Sequence, residues 1–277
     1  PLAQNSPIIL VGDSVVLYNE ITLYDVSTKT QKKVKIDKWQ DQQMRILHSD
    51  TKANKLYLER RNRRNTMLDV CEVDLSTGDV KVIIHEEGDP YIGIELASIT
   101  FLNDYKDIIW WSERTGHGHL YHYDGEGNLK NVITSGNWTA GKVVSIDEKN
   151  RTVYFQAYGV TPGENPSYAK ICKANVDGKG KMVVLTPEEA THNVIFCPSK
   201  RFIIDAFSRP DLPYQFTVRD TRQGDLVFKL SELDLNDMYK QGWKMPETFS
   251  VKAADGETDL YGVMWKPFDF DSTKRYP

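Results

Sequence analysis

The sequence predicts an all-β fold. It contains four to five β-propeller blades of four antiparallel strands each, then a short helix and two further strands. Three observations predict it. A hairpin pattern recurs at nearly constant spacing, each copy follows a further apolar strand, and the repeat region lacks the 3.6-residue periodicity of a helical array. The hairpins read ITLYDVSTKTQKKVKI, LDVCEVDLSTGDVKVII, HLYHYDGEGNLKNVI, AKICKANVDGKGKMVVL and QFTVRDTRQGDLVFKL. Their anchors, Asp25, Asp74, Asp124, Asn175 and Asp220, lie 49, 50, 51 and 45 residues apart. That is the length of one four-stranded blade. Most propellers close with more blades, so an open arc is the alternative to a ring.

Each element has its own reason. Both arms of every hairpin alternate with period 2, and turns such as Ser76-Thr77-Gly78-Asp79, Asp124–Asn128 and Asp177-Gly178-Lys179-Gly180 supply residues that tolerate positive φ. Lys55–Glu59, Asp107–Ser112, Arg151–Gln156 and Arg201–Ala206 are the preceding strands. IIWWS and TVYFQ are apolar on both faces, as suits inner strands packed between neighbouring blades. Part of a fifth blade is expected in Pro1–Asp37. The pattern changes after about Phe228. Ser231 as N-cap with Asp234 at N3 predicts a helix start. Leu235, Met238 and Tyr239 form its apolar stripe, and Gly242 its end. Glu247–Ala253 and Asp259–Lys266 then form two strands across Asp255-Gly256. The expected domains are blades over 1–230, a helical linker over 231–246, and over 247–277 the opening of a different domain.

Composition narrows the function. With 35 Lys and Arg against 39 Asp and Glu, the net charge is −4, which argues against a general nucleic-acid binder. The longest apolar run, near Ile108–Trp111, is far short of the roughly 18 residues that span a bilayer. The first residues show neither a basic n-region nor an apolar h-region, and the sequence reads as an excised piece. Cys71, Cys172 and Cys197 contain no C-x-x-C, so no structural zinc is expected, and they read as small buried hydrophobes. A Cys172–Cys197 bridge stays open. Asn137-Trp138-Thr139 is a glycosylation sequon, relevant only in a eukaryotic secretory setting.

Trp110-Trp111-Ser112-Glu113-Arg114-Thr115-Gly116, followed by His119-Leu120-Tyr121-His122-Tyr123-Asp124 and Thr134–Trp138, resembles the propeller of the dipeptidyl peptidase IV family of prolyl-oligopeptidase-type serine peptidases. Arg60–Asn65 with Met67–Cys71, and Leu185–Glu188 with His192–Val194, are similar to it as well. Tyr261–Pro267 through Arg275–Pro277 is similar to the segment that opens the family's α/β-hydrolase domain. The resemblance implies the C-terminal part of the N-terminal propeller plus the hydrolase's first strands. It implies a parent enzyme that removes N-terminal dipeptides or tripeptides after Pro or Ala, and that binds a peptide with a free N-terminus. It also implies a homodimer, periplasmic or secreted, with no cofactor. The family's triad and its paired amine-binding glutamates fall outside these residues, and no G-x-S-x-G elbow occurs. No catalytic residue is therefore assigned, and the chain alone is expected to be inactive. A rival reading is a non-catalytic propeller that scaffolds protein partners.

The candidate residues follow from that reading. The resemblance places the His85–Asp89 connection along the substrate channel, with Tyr91 and Glu95 nearest to it. Glu86-Glu87 reads as a solvated acidic loop rather than an ammonium-binding pair. His117 and His119 share one strand face and His122 the other, so no metal site is assigned, and the family match makes His119 a structural blade residue. Arg60, Arg61, Arg63 and Arg64 read as a solvated turn paired to a neighbouring blade, and Trp110, Trp111 and Trp138 as packing between blades.

Overall fold

The structure is a computed structural model that describes residues 19–95 and 97–276. Four sheets are four-stranded antiparallel meanders. Blade 1 is β3 (Gln43–Asp50), β4 (Lys55–Arg61), β5 (Met67–Asp74) and β6 (Val80–Glu87). They follow a hairpin of β1 (Thr22–Asp25) and β2 (Thr30–Lys33). The remainder of the expected partial fifth blade lies outside the described residues. Blade 2 is β7 (Ile99–Leu102), β8 (Asp107–Ser112), β9 (His119–Asp124) and β10 (Leu129–Val132). Blade 3 is β11 (Thr139–Asp147), β12 (Thr152–Tyr158), β13 (Ala169–Asn175) and β14 (Val183–Val184). Blade 4 is β15 (Thr191–Phe196), β16 (Phe202–Arg209), β17 (Leu212–Asp220) and β18 (Leu226–Glu232). Contacts divide the chain into two compact units, residues up to 116 with 123–130, and 117–122 with 131–277.

The repeat has a local cause. Asp74, Asp124, Asn175 and Asp220 each end the third strand of a blade, Asp25 ends β1, and the side-chain oxygen of each accepts the amide two residues on. Asp25 takes Ser27, Asp74 takes Ser76, Asp124 takes Glu126, Asn175 takes Asp177 and Asp220 takes Arg222, all at 2.7–3.0 Å. This Asx turn fixes the hairpin into the fourth strand. The glycines beside it meet the preceding blade. A Cβ on Gly127 would lie 1.9 Å from the Ile83 carbonyl, and one on Gly224 would lie 2.6 Å from that of Leu185. Both also have positive φ, so each position requires glycine twice over.

Within the first unit, Val34, Ile36, Leu56, Leu58, Cys71 and Val73 form one buried cluster. Within the second, Tyr154, Ile171, Leu185 and Ile203 form another. The interiors of β4, β8 and β12 are buried on nearly every residue of both faces, while β16 alternates between buried and exposed.

The C-terminal segment differs from expectation at its start. Ser231 and Glu232 complete β18, paired with Phe216 and Gln215, because the ladder to β17 satisfies their backbone. The helix α1 spans only Asn236–Lys240, with Leu235 at its N-cap and no side-chain cap. Asp234 instead accepts the Asn236 amide at 2.8 Å. Met238 and Tyr239 of the expected stripe are each 43% exposed. Gly242 does end the turn, at φ +88°. β19 (Glu247–Lys252) and β20 (Asp259–Met264) pair as a hairpin through a turn in which Asp255 accepts the amides of Glu257 and Thr258. Among the described residues no helix is long and apolar enough to cross a membrane.

Candidate functional site

The segment that the sequence places along the channel encloses a cavity of about 390 Å³ in the first unit. Glu86, Glu87, Gly88, Asp89, Tyr91 and Ile92 line it from one side, and Glu113, Arg114 and Gly116 from the other. Its floor is a buried carboxylate clamp. Glu86 is 6% exposed and accepts hydrogen bonds from Trp110 Nε1 at 2.9 Å, from Arg114 Nη2 at 2.7 Å and from the Ser112 hydroxyl. Arg114 Nε donates to Ser112 Oγ at 3.0 Å, and its guanidinium stands 5.8 Å from the Tyr123 ring centroid.

The solvated-loop reading of Glu86 is thus corrected. β6 continues through Glu87, and alternation turns Glu86 inward while Glu87 stays exposed. A buried carboxylate needs donors to replace its lost hydration, and an indole, a hydroxyl and a guanidinium supply them. The signal was present as Trp110-x-Ser112-x-Arg114, three donors at i, i+2 and i+4 running along one face of β8 and just past its end. What sequence could not show was that Glu86, 24 residues before the first of them, meets that face.

The loop after β6 is pinned by backbone. The Gly88 amide donates to Thr66 O at 3.0 Å and the Ile92 amide to Asn65 O at 2.7 Å. A Cβ on Gly88 would meet the Tyr91 carbonyl carbon at 2.8 Å and the Ile92 nitrogen at 2.9 Å, so only glycine lets the loop fold onto itself. Glu113 accepts the Gly93 amide at 3.1 Å, tying the two walls together. Tyr91 is 65% exposed on the cavity wall. Glu95 is exposed and does not line the cavity.

A second network adjoins the clamp through His85, the residue before Glu86. Asp69 is fully buried and accepts from Lys38 Nζ at 2.9 Å and Arg60 Nε at 2.8 Å. Burial alone would raise its carboxyl, but Lys38, His85 and Arg60 together hold it below the ordinary carboxylate range. Arg60 is therefore no solvated turn residue. It is 7% exposed, pairs within its own blade, and donates to Ile36 O at 2.8 Å. His85 sits between Asp69 Oδ1 at 2.6 Å and Glu87 Oε1 at 3.0 Å. The Glu87 bond, opposed by partial burial and helped by Asp69, raises its pKa above the ordinary 6.5.

The other candidates resolve as structure. His119 is buried, bonded to Thr134 Oγ1 and Gly136 O, and edge-on to Trp138. Burial lowers its pKa, so it stays neutral. His122 meets Asn131 Oδ1 at 3.0 Å. Glu188, His192 and Asp205 come together as metal-ligating types would. Arg219, however, donates to both carboxylates, and the His192 nitrogens are taken by Asp205 and the Glu188 carbonyl. That is a compensated buried ion pair. Neither His192 nor His85 has a serine oxygen among its partners. All three cysteines are free thiols, which closes the bridge left open above, and Cys197 is only partly buried. A larger cavity of about 480 Å³ in the second unit, between Arg209 and the β19–β20 hairpin, presents Glu189 and Arg209 already paired with each other.

The family model described as "Dipeptidyl peptidase IV (DPP IV) N-terminal region" matches residues 18–214. The chain is 24% identical over 225 residues to dipeptidyl peptidase 4 of Trichophyton tonsurans, covering 78% of this chain and 28% of that protein. It is 28% identical over 156 residues to dipeptidyl peptidase 8 of Mus musculus, covering 53% of this chain and 17% of that one. The crystal structure of Porphyromonas gingivalis dipeptidyl peptidase 4 superposes with a TM-score of 0.76 at 23% identity, over 93% of this chain and 36% of that chain. The chain thus spans about a third or less of each of these relatives.

Proposed function

The chain belongs to the dipeptidyl peptidase IV family, matched through its N-terminal region, and we propose that it is the substrate-gating propeller part of a serine exopeptidase. The whole enzyme would remove N-terminal dipeptides, or tripeptides, after Pro or Ala. One observation carries the reading. Ser112 and Arg114, in the stretch that resembles the family, join Trp110 in holding Glu86 at the cavity floor. A rigid floor with an exposed Tyr91 on its wall suits a passage that must accept an extended peptide end without being deformed by it.

In this reading the blades restrict access and orient the peptide, and a hydrolase domain supplies the Ser-His-Asp chemistry. Tyr91 stands where it could stack on a peptide group, and Glu95 lies further along the same loop. The enzyme would work as a periplasmic or secreted homodimer. The test is hydrolysis of Gly-Pro-p-nitroanilide. The full-length protein should turn it over, and the 277-residue chain should not exceed a buffer blank. Tyr91→Ala in the full-length protein should lower kcat/KM severalfold. Turnover by the chain alone, or an unaltered kcat/KM in Tyr91→Ala, would overturn the gating role.

A further inference from the structure

We propose that Glu87 is a specificity-determining carboxylate of the cavity and that His85 is its proton-operated latch, tethering Glu87 when charged and releasing it when neutral. This rests on the channel reading for its meaning, though not for its geometry. The geometry is a chain of three groups. Asp69, fully buried on β5, faces the His85 Nδ1 at 2.6 Å, and Glu87, on the same strand as His85, faces Nε2 at 3.0 Å. A carboxylate only accepts. Two carboxylates on the two ring nitrogens therefore need both nitrogens protonated, which is the imidazolium. Neutral histidine has one N–H and can satisfy only one of them.

The two acceptors are unequal. The Asp69 carboxylate is sealed from water and already takes Lys38 and Arg60. The Glu87 side chain is 73% exposed and has water to replace its bond. The remaining proton therefore stays on Nδ1 toward Asp69, and the Nε2 lone pair then faces Glu87 and repels it. Lys38, from the segment before β3, acts on the ring directly and opposes the charged form. Asp69 and Glu87 outweigh it, so the latch holds above the pH at which an ordinary histidine would open.

Opening the latch changes what the cavity offers. Closed, Glu87 is neutralised by its own neighbour. Open, its carboxylate joins Asp89 and Glu113 on the wall with no cation paired to it among the described residues, while Glu86 stays committed to Arg114. A peptide with a cationic side chain gains a partner only in the open state.

The experiment is a histidine ring titration of the 277-residue chain by NMR, with the His85 signals assigned by loss in His85→Asn. The expected midpoint lies above 6.5, falls toward it in Glu87→Gln, and the neutral ring carries its proton on Nδ1. An unaltered midpoint in Glu87→Gln, or a neutral ring protonated on Nε2, would overturn the latch. A second arm compares Gly-Pro-Lys-Gly amide with its norleucine counterpart. Well above the midpoint the lysine peptide should shift the Glu87 amide resonance more than the norleucine peptide does, and well below it the two should match. Equal effects above the midpoint, or no effect from either, would remove Glu87 as a specificity residue and leave the latch to the titration alone. Neither arm measures hydrolysis, so failure of the peptidase reading is seen separately.

Discussion

Strands β4 and β16 occupy the same place in their blades, second in a four-stranded meander, and they are buried differently. In β4, Leu56, Tyr57, Leu58, Glu59 and Arg60 are all buried. In β16, Ile203, Asp205 and Phe207 are buried, while Phe202 and Ile204 are 39% and 43% exposed. Pairing extends that bare face into a row across blade 4, with Ile195 opposite Ile204, Ile204 opposite Val218, and Val218 opposite Phe228. One blade supplies cover for only one face of its neighbour. An inner strand becomes apolar on both faces because a second sheet is expected to lie on the other side, and the sequence of β16 carries that expectation whether or not the cover is present.

Substitutions can break this comparison or sharpen it. Leu58→Ala, at a site with no exposure, should have the largest effect, about 2–5 kcal/mol, read as a drop in the urea midpoint. Glu86→Ala should cost about 1–3 kcal/mol, since it leaves the buried Trp110 indole without its acceptor, while the exposed Arg114 can turn to water. An unchanged thermal midpoint would mean that the clamp is not formed. Gly127→Ala should cost more than about 1 kcal/mol, because the methyl group meets the Ile83 carbonyl and the backbone has positive φ. A neutral result would place that turn elsewhere.

Stability should also follow two titrations near the clamp. Asp69 has a lowered pKa, so its contribution is present above the ordinary carboxylate value and is lost as pH falls through the depressed one. His85 has a raised pKa, so its contribution is present below 6.5 and is lost as pH rises through the raised value. Chemical denaturation across both ranges should show an acid limb that Asp69→Asn removes and a smaller neutral-range limb that His85→Asn removes. The smallest effect is expected at the bare face. Ile204→Ala should change stability by less than about 0.5 kcal/mol, and Ile204→Lys should lower self-association in light scattering. A loss at Ile204 as large as that at Leu58 would show that the face is covered in solution.

The cavity was legible only in part. An exposed loop place for Tyr91 could be expected from the resemblance, and its role in a channel is a proposal. The roles of Glu86 and Arg60 could not be expected from it. Both are charged residues in polar surroundings, and such residues are mostly exposed unless paired. Their partners lie on other strands: Asp69, on the adjacent β5, is nine residues from Arg60, and Trp110, in blade 2, is 24 residues from Glu86. Arg60 lies in a strand buried on both faces, and the alternation that turns Glu86 inward is visible in the sequence. The partner that makes this tolerable is not.

The sequence by itself determined the blade hairpins and the strand that precedes each of the last four. Period-2 alternation, Asx anchors and turn glycines act over a few residues, so Asp25, Asp74, Asp124, Asn175 and Asp220 each fix a hairpin without reference to the rest of the chain. It misplaced the helix start by the same local logic, since Ser231 satisfies a capping pattern that the β17–β18 ladder outcompetes. Only the tertiary structure decided which charges are buried, which strand face is left bare, and that one histidine stands between two carboxylates. Those outcomes depend on contacts between strands, where the desolvation of a charge and its repayment by a partner are settled together.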